Sequence, residues 1–246
     1  MNVTVLFTTY PRYIERFEYF IHAICKLRRQ LEKTFGEVTF DWLVTCEFNN
    51  SDPDLVLATQ GFCSAWRIKC LVNRESPGLG RCMNMAYDHI ERHTESPYVL
   101  YVQDDWLMKE SIPLLADLVH LDSHPDVGVI RYAAGKQTLV NAVELGGEGN
   151  LRLRELARGR PYVWSYNPFL MRVSAREHYG RFAVDKETQM NNQIKKMSDA
   201  DWAKARILLR GTNKEGKPCH PFFLHMGHVT SMIEKYPGKV PGTRRD

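Results

Sequence analysis

Tyr98-Val99-Leu100-Tyr101-Val102-Gln103-Asp104-Asp105-Trp106 is the stretch that decides the fold. Its first five residues are all apolar or aromatic, with none of the alternation of a half-exposed strand. So short a run, rich in β-branched and aromatic side chains, predicts a strand buried on both faces, as in a helix-covered parallel sheet. It stops at two adjacent carboxylates. Upstream, Ser76-Pro77-Gly78-Leu79-Gly80 reads as a turn into a helix over 81–93, and 67–73 reads as a strand. Before these, 39–45 is a strand and 54–66 is partly helical. Residues 13–35 space Ile14, Phe17, Phe20, Ile21, Ile24, Leu27 and Leu31 on one helical side. Residues 2–7 form a first strand. Pro11 biases Tyr10 away from helix, so a loop begins there. Downstream, 111–120 reads as a helix and 127–132 as a strand. This alternation predicts an α/β fold with a mostly parallel sheet flanked by helices.

After Ala133 the pattern changes to a smaller α+β region. Residues 135–159 are polar and glycine-containing, which predicts a hairpin or an irregular excursion. Residues 162–173 are aromatic and strand-like, 187–196 helical, and 222–226 a short strand. No internal repeat or low-complexity block interrupts the chain.

The composition narrows the function classes. Of 246 residues, 43% are hydrophobic and 25% charged, ordinary values for a globular protein. No apolar run approaches a membrane span. Met1 leads straight into a strand without a basic leader and cleavage site, giving the expectation of a cytoplasmic protein. The six cysteines form no CxxC pair or zinc-finger spacing, so reduced, buried thiols are expected. The net charge of +4 is uneven: residues 204–246 hold nine Lys/Arg against three Asp/Glu. That basic region suits a polyanion, a diphosphate or a solvated surface equally well.

In an open α/β sheet, ligands bind beyond the carboxyl ends of the strands. Four polar clusters fall there: Thr8 to Arg12, Glu47 to Asp52, Ser76 to Arg81, and Asp104-Asp105. Adjacent carboxylates repel unless a cation or hydrogen-bond donor lies between them. Hard divalent cations take oxygen ligands and accept phosphate as the remainder. A turn or helix-cap acid pair is the plainer alternative. Arg81 at a helix start opposes the macrodipole, which an anionic partner would explain.

The order Thr8-Thr9-Tyr10-Pro11-Arg12, then Glu47-Phe48-Asn49-Asn50, then Asn73, Gly78, Arg81 and Asn84, then Gln103-Asp104-Asp105, resembles the GT-A glycosyltransferases, family 2 above all. The resemblance spans most of residues 2–232. It implies a DxD-type acidic motif holding Mn²⁺ or Mg²⁺ on the diphosphate of a nucleotide-sugar donor, a UDP-sugar by preference. It implies one domain over 1–246, with a nucleotide-sugar half (1–132), an acceptor half (133–232) and a basic tail (233–246). Thr8, Tyr10 and Arg12 would border the nucleoside, and Glu47 would meet the base. Asn73, Gly78 and Arg81 would flank the ribose and phosphates. Asp105 matches the metal-binding Asp. Gln103 replaces the first Asp of the motif, which opens that role to Asp104.

Three further features follow from the resemblance. Glu187, or else Asp185, stands where the family places its catalytic base, and inversion at the anomeric carbon would follow. The stretch 224–231, with His225 and His228, resembles a C-terminal motif whose His completes the metal shell. The aromatic stretch 162–169 sits at the acceptor side. Thr8 and Thr9 equally suit a helix cap, Gly78 a plain turn, and either His the core. The acceptor stays open among a glycan, a lipid, a protein and a modified DNA base. Three other functions fit parts of the pattern. A sugar-1-phosphate nucleotidyltransferase would carry a glycine-rich loop where Thr-Thr-Tyr-Pro-Arg stands. A nucleotide-sugar- or glycan-binding protein without turnover and a metal-dependent hydrolase remain the other two.

Overall fold

The computed structural model describes residues 1–34, 36–49, 51–75, 77–133, 143–147, 152–158, 163–183, 187–211 and 222–226. The first part alternates strand and helix: β1 (Asn2–Thr9), α1 (Ile14–Leu31), β2 (Thr39–Glu47), α2 (Pro53–Ala65), β3 (Lys69–Asn73), α3 (Leu79–His93) and β4 (Tyr98–Gln103). Then come β5 (Trp106–Met108), α4 (Leu114–Ser123) and β6 (Val127–Arg131). The rest adds β7 (Val143–Gly146), β8 (Leu153–Glu155), β9 (Phe169–Arg172), α5 (Arg176–Tyr179), α6 (Glu187–Lys195), α7 (Asp199–Trp202), β10 (Arg206–Arg210) and β11 (Phe223–His225).

Among the described residues, nine strands form one sheet in the order β3-β2-β1-β4-β9-β6-β10-β8-β7, and β11 pairs with β5 apart from it. Strands β3, β2, β1 and β4 run parallel throughout. Strand β9 enters antiparallel between β4 and β6. The excursion after Ala133 contains the expected hairpin partners, β7 and β8, paired antiparallel.

Side chains of β4 divide between two cores. Tyr98, Leu100 and Val102 pack with α1 and α4 on one face. Val99 and Tyr101 pack with α3 and α5 on the other. A strand covered on both sides needs apolar residues at every position, and each fully buried side chain contributes about 1.5–3 kcal/mol. Gly128 in β6 leaves room for α5 and the residue before it: an added Cβ would lie 2.6 Å from the Tyr179 hydroxyl and 2.9 Å from Ala175 Cβ.

Several boundaries differ from the sequence reading. Strand β2 runs on to Glu47 because its ladder with β3 continues to the Glu47–Asn73 pair. Helix α3 starts at Leu79, preceded by Gly78 at φ 141°, a conformation that favours glycine. Helix α2 starts where Asp52 caps it, its carboxylate accepting from the amides of Asp54 (2.9 Å) and Leu55 (3.4 Å), with Pro53 at the first position. Among the described residues of the aromatic stretch, strand is confined to Phe169–Arg172, because Pro168 has no amide to give a ladder.

Candidate active site

The carboxyl edge of the parallel strands gathers most of the predicted residues. Thr8 and Thr9 end β1, both buried, and Thr8 stands beside Gln103 in the ladder with β4. The Thr8 and Tyr101 hydroxyls share a hydrogen bond of 2.8 Å. Gln103 itself is half-buried.

The two neighbouring acids after β4 have different surroundings. Asp104 is enclosed. Its Oδ2 accepts from the Thr9 hydroxyl (2.9 Å), the Tyr10 amide (3.0 Å) and Arg16 Nε (3.0 Å). Its Oδ1 accepts from Arg16 Nη2 at 2.9 Å. This bidentate fork compensates the buried charge. Asp104 therefore binds the loop after β1 to the start of α1, with the Arg16 guanidinium as the cation beside it.

Asp105 is also buried, at 8% exposure, yet its Oδ1 has no hydrogen-bond partner among the described residues. A buried carboxylate oxygen without a donor is costly. Its Oδ2 lies 3.3 Å from His225 Nε2. The approach is built by the backbone: β11 pairs with β5 so that His225 faces Trp106, and the Met226 amide donates to the Asp105 carbonyl at 2.7 Å. The His225 ring stacks on Trp106, centroids 4.5 Å apart. One carboxylate oxygen plus one imidazole nitrogen is a donor pair that suits a divalent ion. Among the described residues no third His, Cys, Asp or Glu completes such a cluster.

The opposite wall comes from β2, β3 and α3. Glu47 is buried and accepts from the Gly78 amide at 3.4 Å. Asn73 Oδ1 accepts from the Glu75 amide at 3.3 Å, and its Nδ2 donates to Cys82 Sγ at 3.8 Å. Burial, then the charge of Glu47, pushes the Cys82 thiol up to about 12, so it stays protonated. Burial, then Cys82, Tyr101, Glu47 and Asp104, holds the Tyr10 phenol well above its ordinary value. Tyr10 thus keeps its proton as a donor. The side chains of Arg12 and Arg81 are exposed.

On the far side, two asparagines fix irregular segments. Asn191 of α6 accepts from the Trp164 amide and donates to the Trp164 carbonyl, both at 2.9 Å. Asn84 of α3 does the same for Phe182, again at 2.9 Å each way. Trp164 is core, packed among Phe169, Tyr179 and Phe182 with centroids 5.3–5.6 Å away. Glu187 is the first residue of α6. Asp185 and His228 lie outside the described residues.

Arg16 and Asn191 escape the sequence reading. Arg16 had a local signal: a cation in the first turn of a helix opposes the macrodipole, the argument already applied to Arg81. Asn191 had none, because its partner is distant backbone.

No protein-family model and no curated protein sequence matches the chain. Solved structures do. S. aureus TarS 1–349 matches with a TM-score of 0.53 at 12% identity, over 91% of this chain and 60% of that one. GalNAc-T7, solved with UDP, GalNAc and Mn²⁺, matches with a TM-score of 0.55 at 9% identity, over 85% of this chain and 42% of that one. The chain thus spans less than two thirds of either. No helix among the described residues is long and apolar enough to cross a membrane. The strand order, the flanking helices and these neighbours agree, and the chain has the GT-A fold.

Proposed function

We propose that the chain is a metal-dependent glycosyltransferase that moves a sugar from a nucleoside-diphosphate donor, a UDP-sugar by preference, onto an acceptor nucleophile. One observation carries this reading: a buried carboxylate oxygen of Asp105 without a donor, beside His225, at the carboxyl edge of β4 in a GT-A fold. Asp105 and His225 are the residues that would hold Mn²⁺ or Mg²⁺, and an imidazole ligand favours Mn²⁺. Bound there, the ion would supply positive charge to the diphosphate leaving group. GalNAc-T7 with its UDP and Mn²⁺ supports that choice of donor and metal.

The chain's own residues take the other roles. Arg81, at the start of α3, offsets charge on the phosphates. Glu47 and the Tyr10 hydroxyl face the nucleoside, beside Thr8, Asn73, Gly78 and the exposed Arg12. Asp104 serves as the tie that keeps Tyr10 in place. The acceptor oxygen bonds to the anomeric carbon as the bond to the diphosphate oxygen breaks. That electron pair departs with the diphosphate, and the acceptor proton passes to Glu187, or to Asp185 in its place. Attack from the base's side, opposite the leaving group, inverts the anomeric centre.

The test is a thermal-shift panel of nucleoside diphosphates and their sugars, with Mn²⁺ and with EDTA. UDP or one UDP-sugar should stabilise the chain in Mn²⁺ and lose that gain in EDTA. Release of free UDP then separates transfer from binding alone, and NMR of the product anomer tests inversion. No metal-dependent stabilisation by any nucleoside diphosphate would remove the basis of the reading.

A further inference from the structure

A groove of about 620 Å³ runs along α3, starting at the loop after β3. Four arginines, Arg74, Arg81, Arg92 and Arg181, line it against two carboxylates, Glu75 and Asp88. The excess of two positive charges survives the local pairing and gathers on Arg74, Arg81 and Arg92, with Glu75 the one acid left among them. Asp88 is taken by Arg176 (2.6 Å) and Arg181 (3.0 Å), and Glu91, next along the helix, by Arg176 at 2.8 Å. The acid one turn before Arg92 is therefore turned away from it. Arg81 has Asn84 and Met85 at the corresponding positions, so no acid pairs with it along the helix.

Three guanidinium groups remain without a carboxylate. The exposed Arg81 and Arg92 side chains make no hydrogen bond or ion pair among the described residues, and Arg74 lies 4.2 Å over the Phe48 ring. Arg81 and Arg92 share one helix face about three turns, or roughly 16 Å, apart. The His89 and His93 rings, 4.6 Å apart, stand between and beside them. A solvated helix face ordinarily intersperses acids at the next turn, and here those acids serve α5 and the 180–183 loop instead. Guanidinium forks match phosphate oxygens. A single donor diphosphate at Arg81 does not reach Arg92, so the array suits a ligand with repeated charges.

We propose that the α3 groove binds a polymer of repeating phosphates, which brings the acceptor past the donor loop. The acceptor role rests on the transferase reading; the binding does not. The 246-residue chain is titrated into labelled oligothymidylate, labelled linear polyphosphate and labelled neutral dextran by fluorescence anisotropy, in about 50 mM salt without donor or metal. Both anions should bind and dextran should not. Arg92→Glu should weaken binding about tenfold and flatten the log K–log salt slope by about one or more, while Arg92→Lys keeps most of the affinity. The metal-dependent UDP shift of Arg92→Glu should equal that of the parent chain. Binding of oligothymidylate alone identifies nucleic acid as the source, and binding of polyphosphate alone identifies a non-nucleotide polymer. Failure of both anions to bind, or full binding by Arg92→Glu, overturns the proposal. The transferase reading survives that result, just as the groove survives a failure of UDP-sugar turnover.

Discussion

The two sides of the site are held by different means. The loops after β1, β2, β3 and β4 are the ends of parallel ladders: β1 is in register with β2 from Asn2–Thr39 to Thr9–Cys46, and with β4 from Val3–Tyr98 to Thr8–Gln103. Their place is set by main-chain hydrogen bonds and a two-faced core. Among the described residues, the segments around Trp164 and Phe182 have no ladder. Asn191 and Asn84 each copy the donor and acceptor of a missing strand with one carboxamide. A ladder is spread over many residues and tolerates substitution. A carboxamide clamp concentrates the placement of a segment in a few side chains, Asn191 beside Arg131, whose Nη1 donates to the Val163 carbonyl at 2.8 Å, and Asn84 beside Gln193, which donates to the Arg181 carbonyl at 3.1 Å.

The largest effect tests the ladder side. Asp105→Ala should reduce UDP release from the cognate donor at least about a thousandfold, some 4 kcal/mol in transition-state terms. The melting temperature should hold or rise, because the substitution removes a buried oxygen without a donor. Chelation of the parent chain should mimic the kinetic loss. A melting temperature lowered by many degrees would mean that the carboxylate, not the ladder, positions this loop, and the contrast would fail.

The exception on that side is Asp104. Arg16→Met leaves its buried charge without the guanidinium and should cost about 3 kcal/mol in urea denaturation. The double variant Arg16→Met/Asp104→Asn should recover much of it, since no buried charge remains. Equal losses in the single and double variants would show that Arg16 contributes by packing alone.

The clamps come next. Asn191→Leu leaves the Trp164 amide and carbonyl without partners and should destabilise by about 2 kcal/mol. Asn84→Leu should behave alike at Phe182. Asn191→Leu should also lower turnover at saturating donor more than it raises the donor's KM, because α6 carries Glu187 at its first residue. A pure KM effect would tie the segment to donor binding instead.

These differences also explain what could be read from the sequence. The strand over Tyr98–Gln103 was legible because burial on both faces leaves a continuous apolar run. The start of α2 carried a signal in Asp52-Pro53, a capping acid before a proline, that a start at 54 passed over. The end of β2 was not, since a glutamate at a strand end looks like the start of a turn, and only pairing with Asn73 reveals the strand. Asp104 and Asp105 were told apart by the resemblance alone and not by their own chemistry, because what separates them is Arg16 on one helix and His225 on a remote strand. The 162–173 stretch looked like a strand because aromatic residues fill a core equally well in an irregular segment held by Asn191.

The smallest effect concerns the joint between the two sides, where Asp88 of α3 meets Arg176 and Arg181. Burial opposes its charge, but hydrogen bonds from the two arginines outweigh that and hold the carboxyl below its ordinary value. A depressed acid contributes stability above the unfolded value of about 3.9 and loses it as pH falls through the folded value. The parent chain should therefore exceed Asp88→Asn in stability near neutral pH by on the order of 1 kcal/mol or less, given the partial exposure. The gap should close only below about pH 4. A gap that persists at pH 3 would mean that the substitution disturbs packing rather than charge. A gap absent at every pH would mean that Asn84 alone fastens the Phe182 segment to α3, which would make the contrast between ladder and clamp sharper still.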